Sequence, residues 1–474
     1  MMHIKVPYES TCALVLGAGV SGIAAAQLLR QRGATVVVVD EAPAERLARA
    51  AAELAACGAT LRAGCCAVPE TPFDLCVTSP GIALTHPWME ACTRRRIPVI
   101  AETEYGFSCW PGRVLAITGS KGKSSLVKLC ADTLCLAGIP AAPAGNYGTP
   151  LSRLVAAGIA PTVATTGGRG LRPPAAATEE AQHAWAVVEV SSFQLEHMPR
   201  FRPDVAILLN LQADHLDRHA SIEEYRALKL RMFAQQGAGD VALLPEGEDD
   251  GGVIPAAVTR WTFGSGSDCD WQYAARHVRG RISGATALRQ ISMEGSWFNN
   301  PVLGLAAAAG AGALAACGLD DAAIVRGLRG FEPLPHRMQL VAERQGVRFV
   351  DDSKATSLAA VVAALQMVSG PVRLIAGGRL KEHDLESLKE LLTSRVRKVY
   401  LIGECAGRMY SAWSGAVSCK ECGTLDVAVT EAARDARADE TVLLSPGCAS
   451  FDQFGSYRER GERFTRLVRE MNVS

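Results

Sequence analysis

Residues 113–138 read RVLAITGSKGKSSLVKLCADTLCLAG, and this stretch decides how the chain is parsed. RVLAIT is a short apolar run of strand type, and KSSLVKLCADTLCLAG is a helix that closes at Gly138. Between them lies GSKGKSS, Gly119–Ser125. It carries Gly-Lys-Ser, as phosphate-binding loops do, yet the position of the usual first glycine is Ile117. A loop joining a strand to a helix N-terminus presents backbone N–H groups and the positive end of the helix dipole to a phosphate. Gly119, Ser120, Lys121, Gly122, Lys123, Ser124 and Ser125 are therefore candidate nucleotide-binding residues. Lys123 would reach the terminal phosphates, and the Ser124 hydroxyl is placed for Mg2+. Taken alone, the stretch could also be an ordinary glycine-rich turn.

Working outward, residues 12–41, CALVLGAGVSGIAAAQLLRQRGATVVVVDE, form a strand–turn–helix–strand pattern. Gly17, Gly19 and Gly22 stand in the order of a dinucleotide-type turn, and Asp40 ends the second strand. FDLCVTS and IPVIAE continue that region; AWAVVEVSS and PDVAILLNL follow the central loop; VRFVDDS, VRLIAGG, KVYLIGE and TVLLSPG lie near the C-terminus. The rhythm predicts an α/β chain of three domains in series. These are a Rossmann-like N-terminal domain (1–111), a central P-loop ATPase-type parallel sheet (112–332) and a C-terminal Rossmann-like domain (333–474). The Gly-, Pro- and Ala-rich stretch 165–183 reads as a surface loop.

Composition narrows the function classes. Among 474 residues, 48% are hydrophobic, and 49 Lys+Arg balance 49 Asp+Glu, so no basic field favours nucleic acid or a membrane surface. No leader pattern or long apolar run points to secretion or membrane insertion. The 15 cysteines, odd in number and scattered, fit a reducing compartment, and the expectation is a soluble cytoplasmic protein. Cys419 and Cys422 form one CxxC with no second pair at zinc spacing, and read as incidental.

Glu189 ends an apolar strand, where a carboxylate serves as the usual second Mg2+ partner beside such a loop. NLQADHLDRH packs Asn210, Asp214, His215, Asp217, Arg218 and His219 just after another strand. So many coordinating groups need a ligand or solvent, although a polar cap before a solvated helix would carry the same residues. The C-terminal region adds His336 and Arg337, then Asp351, Asp352, Ser353, Lys354 and Thr356, then Lys381, then LSPGCASFDQFGSYRERG. Together these are cationic or hydroxyl-rich loops at successive strand ends, suited to anionic groups.

With these residues in view, the chain resembles the Mur ligase family over nearly its whole length. GSKGKSS is similar to that family's compact nucleotide loop, and EVSSFQLE, DHLDRH and GNYG (Gly145–Gly148) are similar to further family motifs. DDSKAT and SPGCASFDQF resemble the glutamate-adding branch. The resemblance implies Mg2+ at Ser124 and Glu189, and a second Mg2+ at His215 and a carbamylated Lys229. It implies Asn300, Arg337, Asp352 and Lys354 for ATP and its transferring phosphate, with Lys123, His215, Lys229 and Lys354 catalytic. Thr356, Lys381, Ser450 and Tyr457 would receive the glutamate. Gly17, Val20, Ser21, Asp40, Ser79, Asn146, Ser191 and Gln194 would bind the UDP-sugar.

The implied reaction joins D-glutamate to UDP-N-acetylmuramoyl-L-alanine through an acyl phosphate, by a monomer. Three departures from the family pattern stand out: Asn299 and Leu303 replace a His and an Asn, GGRLK lacks an acidic residue and carries Arg379, and the late aromatic position is Tyr457. A Mur-type ligase with another acceptor, such as L-glutamate, is one competing reading. An NAD-dependent oxidoreductase built on GAGVSG and Asp40 is another, as is a non-catalytic UDP-sugar binder; both leave Lys123, Glu189, His215 and Lys229 unused.

Overall fold

Short β-branched runs bounded by glycine form the strands, and Ala/Leu-rich segments form the helices between them. The computed structural model describes residues 11–158, 183–212, 221–280, 289–380 and 384–471. His215 with its neighbours Asp214, Asp217, Arg218 and His219, Lys381, and all of the 165–183 stretch except His183 lie outside them.

The first sheet contains β1 (Cys12–Leu16), β2 (Thr35–Asp40), β3 (Thr60–Ala63), β4 (Leu75–Thr78) and β5 (Val99–Ala101). All pairs are parallel, in the order β3-β2-β1-β4-β5. The order reverses between β1 and β4, and in open α/β sheets a crevice forms at the strand C-termini there. The helix Val20–Gln31 leaves β1 through a turn in which Gly17 has φ +88°. A Cβ on Gly22 would sit 1.8 Å from the Gly17 carbonyl oxygen, so helix and turn approach too closely for any side chain there.

The second sheet contains β6 (Arg113–Thr118), β7 (Ala141–Gly145), β8 (Trp185–Glu189), β9 (Val205–Leu208), β10 (Val241–Pro245), β11 (Thr259–Gly264), β12 (Trp271–Ala274), β13 (His277–Gly280) and β14 (Arg289–Ser292). Its order is β14-β13-β12-β11-β10-β9-β6-β8-β7, parallel from β7 to β12 and antiparallel through β13 and β14. The loop-bearing strand β6 lies between β8 and β9, with Ile117 opposite Glu189 and Thr118 opposite Leu208. The ends of β8 and β9 therefore flank the loop that leaves β6. Fully buried Leu115, Ala116, Val187, Val188 and Ile207 make these strands near-continuous apolar runs, as a sheet covered on both faces requires.

The third sheet contains β15 (Gln339–Arg344), β16 (Val347–Asp351), β17 (Val372–Gly377), β18 (Val396–Ile402), β19 (Cys419–Gly423) and β20 (Thr441–Leu444). Its order is β15-β16-β20-β17-β18-β19, parallel except for β15 against β16. The chain forms two compact units, Met1–Asn299 with Gly304–Phe331, and Asn300–Leu303 with Glu332–Ser474. The first unit carries two of the three sheets. All 15 cysteines are free thiols, including Cys419 and Cys422 at edge strand β19. Among the described residues, no helix is long and apolar enough to cross a membrane.

Candidate functional site

In the first unit, the loop after β6 is shaped by two glycines and one asparagine. Gly119 has φ +147° and Gly122 φ +84°, the latter as N-cap of the helix Lys123–Leu136. Asn210, just beyond β9, fixes the residues between them. Its Oδ1 accepts the backbone N–H of Ser120 (3.0 Å) and of Lys121 (2.9 Å), and its Nδ2 donates to the Lys121 carbonyl (3.0 Å). The Ser120 hydroxyl donates to the Gln212 carbonyl at 2.9 Å. The compact loop thus takes its shape from the neighbouring strand end.

Two lysines converge on one carbonyl of this loop. Lys123 Nζ donates to the Gly119 oxygen at 2.8 Å and to the Ser120 oxygen at 3.0 Å. Lys229, on the helix Ile222–Leu230, is only 1% exposed, and it donates to the same Gly119 oxygen at 2.9 Å and to Thr118 Oγ1 at 3.3 Å. The Tyr225 ring lies 4.4 Å from the Lys229 ammonium. A cation this deeply buried needs polar partners, and its contacts include a carbonyl, a hydroxyl and a ring face.

Glu189 supplies a negative group beside β6. Its Oε1 accepts from Asn146 Nδ2 at 2.8 Å, while its buried Oε2 has no hydrogen-bond partner among the described residues. The Gly145–Gly148 turn brings Asn146 there, and a Cβ on Gly145 would lie 2.4 Å from the Glu189 carbonyl oxygen. A buried, half-satisfied carboxylate oxygen next to a phosphate-type loop fits a hard cation such as Mg2+, completed by the Ser124 hydroxyl and phosphate oxygens.

Ser191 and Gln194 form a capping box: Gln194 Oε1 accepts from the Ser191 backbone N–H and hydroxyl at 2.8 and 2.9 Å. Gln194 Nε2 donates to Thr103 Oγ1 at 2.7 Å, tying the segment after β8 to the helix Glu102–Cys109. At the β1/β4 crevice, Val20 is exposed, Ser21 is half-buried, and the buried Ser79 hydroxyl lacks a partner among the described residues. Asp40 accepts the Ala18 N–H of the glycine turn at 2.7 Å through Oδ2 and the Ala42 N–H, just beyond β2, at 2.8 Å through Oδ1.

In the second unit, Asn300 Oδ1 accepts the Leu303 N–H at 2.9 Å, capping the helix Pro301–Ala316. Asp352 is held by the Ser445 hydroxyl at 3.0 Å and the Met338 amide at 3.2 Å. Burial pushes its carboxyl up to about 7, with those hydrogen bonds and the Arg337 charge offsetting part of the rise. His336, at φ +63°, pairs its Nδ1 with Asp351 Oδ2 at 2.7 Å, and its carbonyl accepts the Lys354 N–H at 3.1 Å. Arg337 and Thr356 are half-buried and Ser450 is buried. Tyr457 begins the helix Tyr457–Glu470 beneath the Lys354 ammonium, 3.8 Å from ring centre to nitrogen.

Sequence reasoning missed three contributors: Asn210 as the brace of the loop, Ser445 as the partner of Asp352, and Arg460. The Arg460 side chain, 1% exposed, donates to Ser353 Oγ and to the Ser353 and Cys448 carbonyls at 2.9–3.0 Å. Only its place in RERG after the serine-rich loop signalled it.

Comparison with known proteins bears directly on this arrangement. Residues 117–311 match the Mur ligase middle domain, 336–448 the Mur ligase glutamate ligase domain, and 11–101 the MurD-like N-terminal domain of Mur ligases. The UDP-N-acetylmuramoylalanine–D-glutamate ligase of Acidobacterium capsulatum is 36% identical over 473 residues, covering 96% of this chain and 95% of the relative. That of Rubrobacter xylanophilus is 40% identical over 470 residues, covering 96% and 97%. The chain belongs to the Mur ligase family. It is accordingly a ligase of the class that forms amide bonds with ATP. Solved Mur ligase structures share the fold: Thermotoga maritima UDP-N-acetylmuramate-alanine ligase MurC has a TM-score of 0.56 at 14% identity, over 97% of this chain and 99% of that one. Acinetobacter baumannii MurF has a TM-score of 0.58 at 14% identity, over 97% and 93%.

Proposed function

We propose that this Mur ligase joins D-glutamate to UDP-N-acetylmuramoyl-L-alanine, consuming ATP, in peptidoglycan precursor synthesis. The observation that carries the reading is the near-full-length identity to relatives named for that reaction. A carboxylate resists attack by an amine until one of its oxygens becomes a good leaving group. The γ-phosphoryl group of ATP is transferred to the alanyl carboxylate, giving an acyl phosphate. The glutamate amine adds to its carbonyl carbon, and the C–O bond to phosphate breaks as the tetrahedral intermediate collapses and the amine loses its proton.

The loop amides of residues 119–123 and Lys123 bear the phosphate charge; Lys123 must leave the Gly119 and Ser120 carbonyls to do so. When bound, Mg2+ neutralises charge on the phosphate oxygens, with Ser124 and Glu189 holding one ion and His215 and a carbamylated Lys229 a second. Carbamylation suits Lys229, because it replaces a buried ammonium beside Lys123 with an anion. Asn300, Arg337, Asp352 and Lys354 serve the nucleotide and transferring phosphate, and Thr356, Lys381, Ser450 and Tyr457 the glutamate. Gly17, Val20, Ser21, Asp40, Ser79, Asn146, Ser191 and Gln194 serve the UDP-sugar, supported by the Ser79 hydroxyl at the β1/β4 crevice, which lacks a partner among the described residues. We assign UDP binding to domain 1–111, ATP binding to 112–332 and amino-acid binding to 333–474, in a cytoplasmic monomer. Asn146, Ser191 and Gln194 of the central domain also serve the UDP-sugar, and Arg337, Asp352 and Lys354 of the C-terminal domain also serve the nucleotide.

Arg379, in GGRLK, favours one second reading, a changed acceptor: it adjoins the Ser450 loop through paired backbone hydrogen bonds with Ala449. The test is phosphate release from MgATP and UDP-N-acetylmuramoyl-L-alanine with D-glutamate, L-glutamate or L-alanine. Release with D-glutamate alone supports the proposal. Release with L-glutamate alone transfers the assignment to the second reading, and no release with any acceptor refutes both.

A further inference from the structure

We infer that Tyr457 is a positioning residue for Lys354, aiming its ammonium through the face of the phenol ring; the inference rests on the phosphate-handling role proposed for Lys354. The Lys354 nitrogen lies 3.8 Å from the Tyr457 ring centroid, well inside cation–π range. Among the described residues, no carboxylate is paired with this ammonium. A carboxylate would orient the lysine but also cancel its charge. A ring face orients it and leaves the charge available to an incoming anion.

Both ends of the contact are fixed. The Ser353 hydroxyl, one residue before Lys354, donates to the Tyr457 carbonyl at 2.8 Å and accepts from Arg460 Nε at 3.0 Å. The Lys354 N–H is bonded to the His336 carbonyl. The His336 ring meets the Tyr457 ring edge-on at 6.4 Å, and His336 is itself held by Asp351. The Tyr457 hydroxyl accepts from Arg458 Nε at 3.3 Å and also interacts with the Lys354 ammonium, while the Arg458 guanidinium carbon lies farther from the ring, at 5.8 Å. The nitrogen's 3.8 Å approach to the ring centroid assigns the positioning to the ring face, and phenylalanine, which loses only the hydroxyl, should replace tyrosine where leucine cannot.

Two measurements test this. In the full chain without ligands, NMR of 13C-methylated lysines, with the Lys354 signal assigned through Lys354→Arg, should show that signal shifted upfield by the ring. The shift should persist in Tyr457→Phe and vanish in Tyr457→Leu. A Lys354 signal at the bulk lysine position in the unsubstituted chain, or one unmoved by Tyr457→Leu, overturns the inference whether or not the proposed reaction is correct. In phosphate-release assays, Tyr457→Leu should lower kcat roughly 2- to 30-fold, the range a cation–π contact spans, with Phe recovering most of the loss. Equal damage from Phe and Leu, or a change confined to the KM for the amino acid, would assign the effect to the hydroxyl or to direct acceptor contact and sink the positioning role. Absence of release in the unsubstituted chain would count against the proposed reaction, leaving the NMR result to decide the role of Tyr457.

Discussion

Glu104→Gln should flatten the pH dependence of unfolding of the first unit between pH 5 and 8. Glu104 is 4% exposed on the helix Glu102–Cys109. Its Oε1 accepts the Arg200 N–H at 3.0 Å, and its Oε2 is buried without a partner among the described residues. Burial pushes its carboxyl up to about 7 from an ordinary 4.5, only partly offset by the Arg200 hydrogen bond and charge. A raised folded value favours the protonated form, so this contribution is fully present below 4.5 and is lost as pH rises through 7. One pKa unit corresponds to about 1.4 kcal/mol, so the loss totals about 3 kcal/mol, most of it between pH 5 and 8. Glutamine mimics the protonated acid and carries no such dependence. Urea midpoints of both proteins at pH 5 and 8 provide the assay. The variant should be similar to the unsubstituted protein at pH 5 and clearly more stable at pH 8. Asp352, which titrates in the same range in the second unit, is present in both proteins and cancels from the difference. Parallel pH profiles would show that Glu104 is solvated or paired in the folded chain, and would refute the reasoning.

Asn210→Ala removes three hydrogen bonds from the loop backbone and should raise the KM for ATP roughly tenfold, with the melting temperature little changed, as kinetics and thermal unfolding would show. Lys229→Ala should lose most phosphate release and regain part of it with added short carboxylates that replace a carbamate; full activity without them would remove Lys229 from the site. Glu440→Ala strips the buried Arg373 guanidinium of its 2.6 Å carboxylate partner, leaving the Tyr400 hydroxyl at 3.2 Å. It should destabilise the second unit by about 3 kcal/mol in denaturant titrations.

Much of this architecture can be read from the chain in one dimension, because strands β6, β8, β9, β16, β17, β18 and β20 are apolar runs with polar tails. Strand β7, AAPAG, escapes such reading: it has no β-branched residue and holds Pro143, tolerable at a sheet edge. The four-residue strands β12, β13 and β14 are too short to display a period. At the site, Lys123 is legible from the Gly-Lys-Ser loop and Glu189 from its place at the end of an apolar strand, whereas Lys229 is legible only through the family resemblance. Asn210 was visible only as one polar residue among many, since its reach back to Lys121 depends on β9 lying beside β6. The contact between Lys354 and Tyr457 likewise depends on how β16 and the C-terminal helix fold together. His215 and Lys381, read as a metal ligand and a glutamate contact, lie outside the described residues.

The asparagine brace also bears on transplanting the loop. In a glycine-rich phosphate loop, the permissive residues are part of the loop's own sequence. Here the amide of Asn210 holds residues 120 and 121 through their main chain, so part of the curve is set from outside the loop's own sequence. GSKGKS moved alone onto another strand–helix junction would arrive without the part that bends it. The portable unit is discontinuous, the loop together with residues 209–212 from the adjacent strand end.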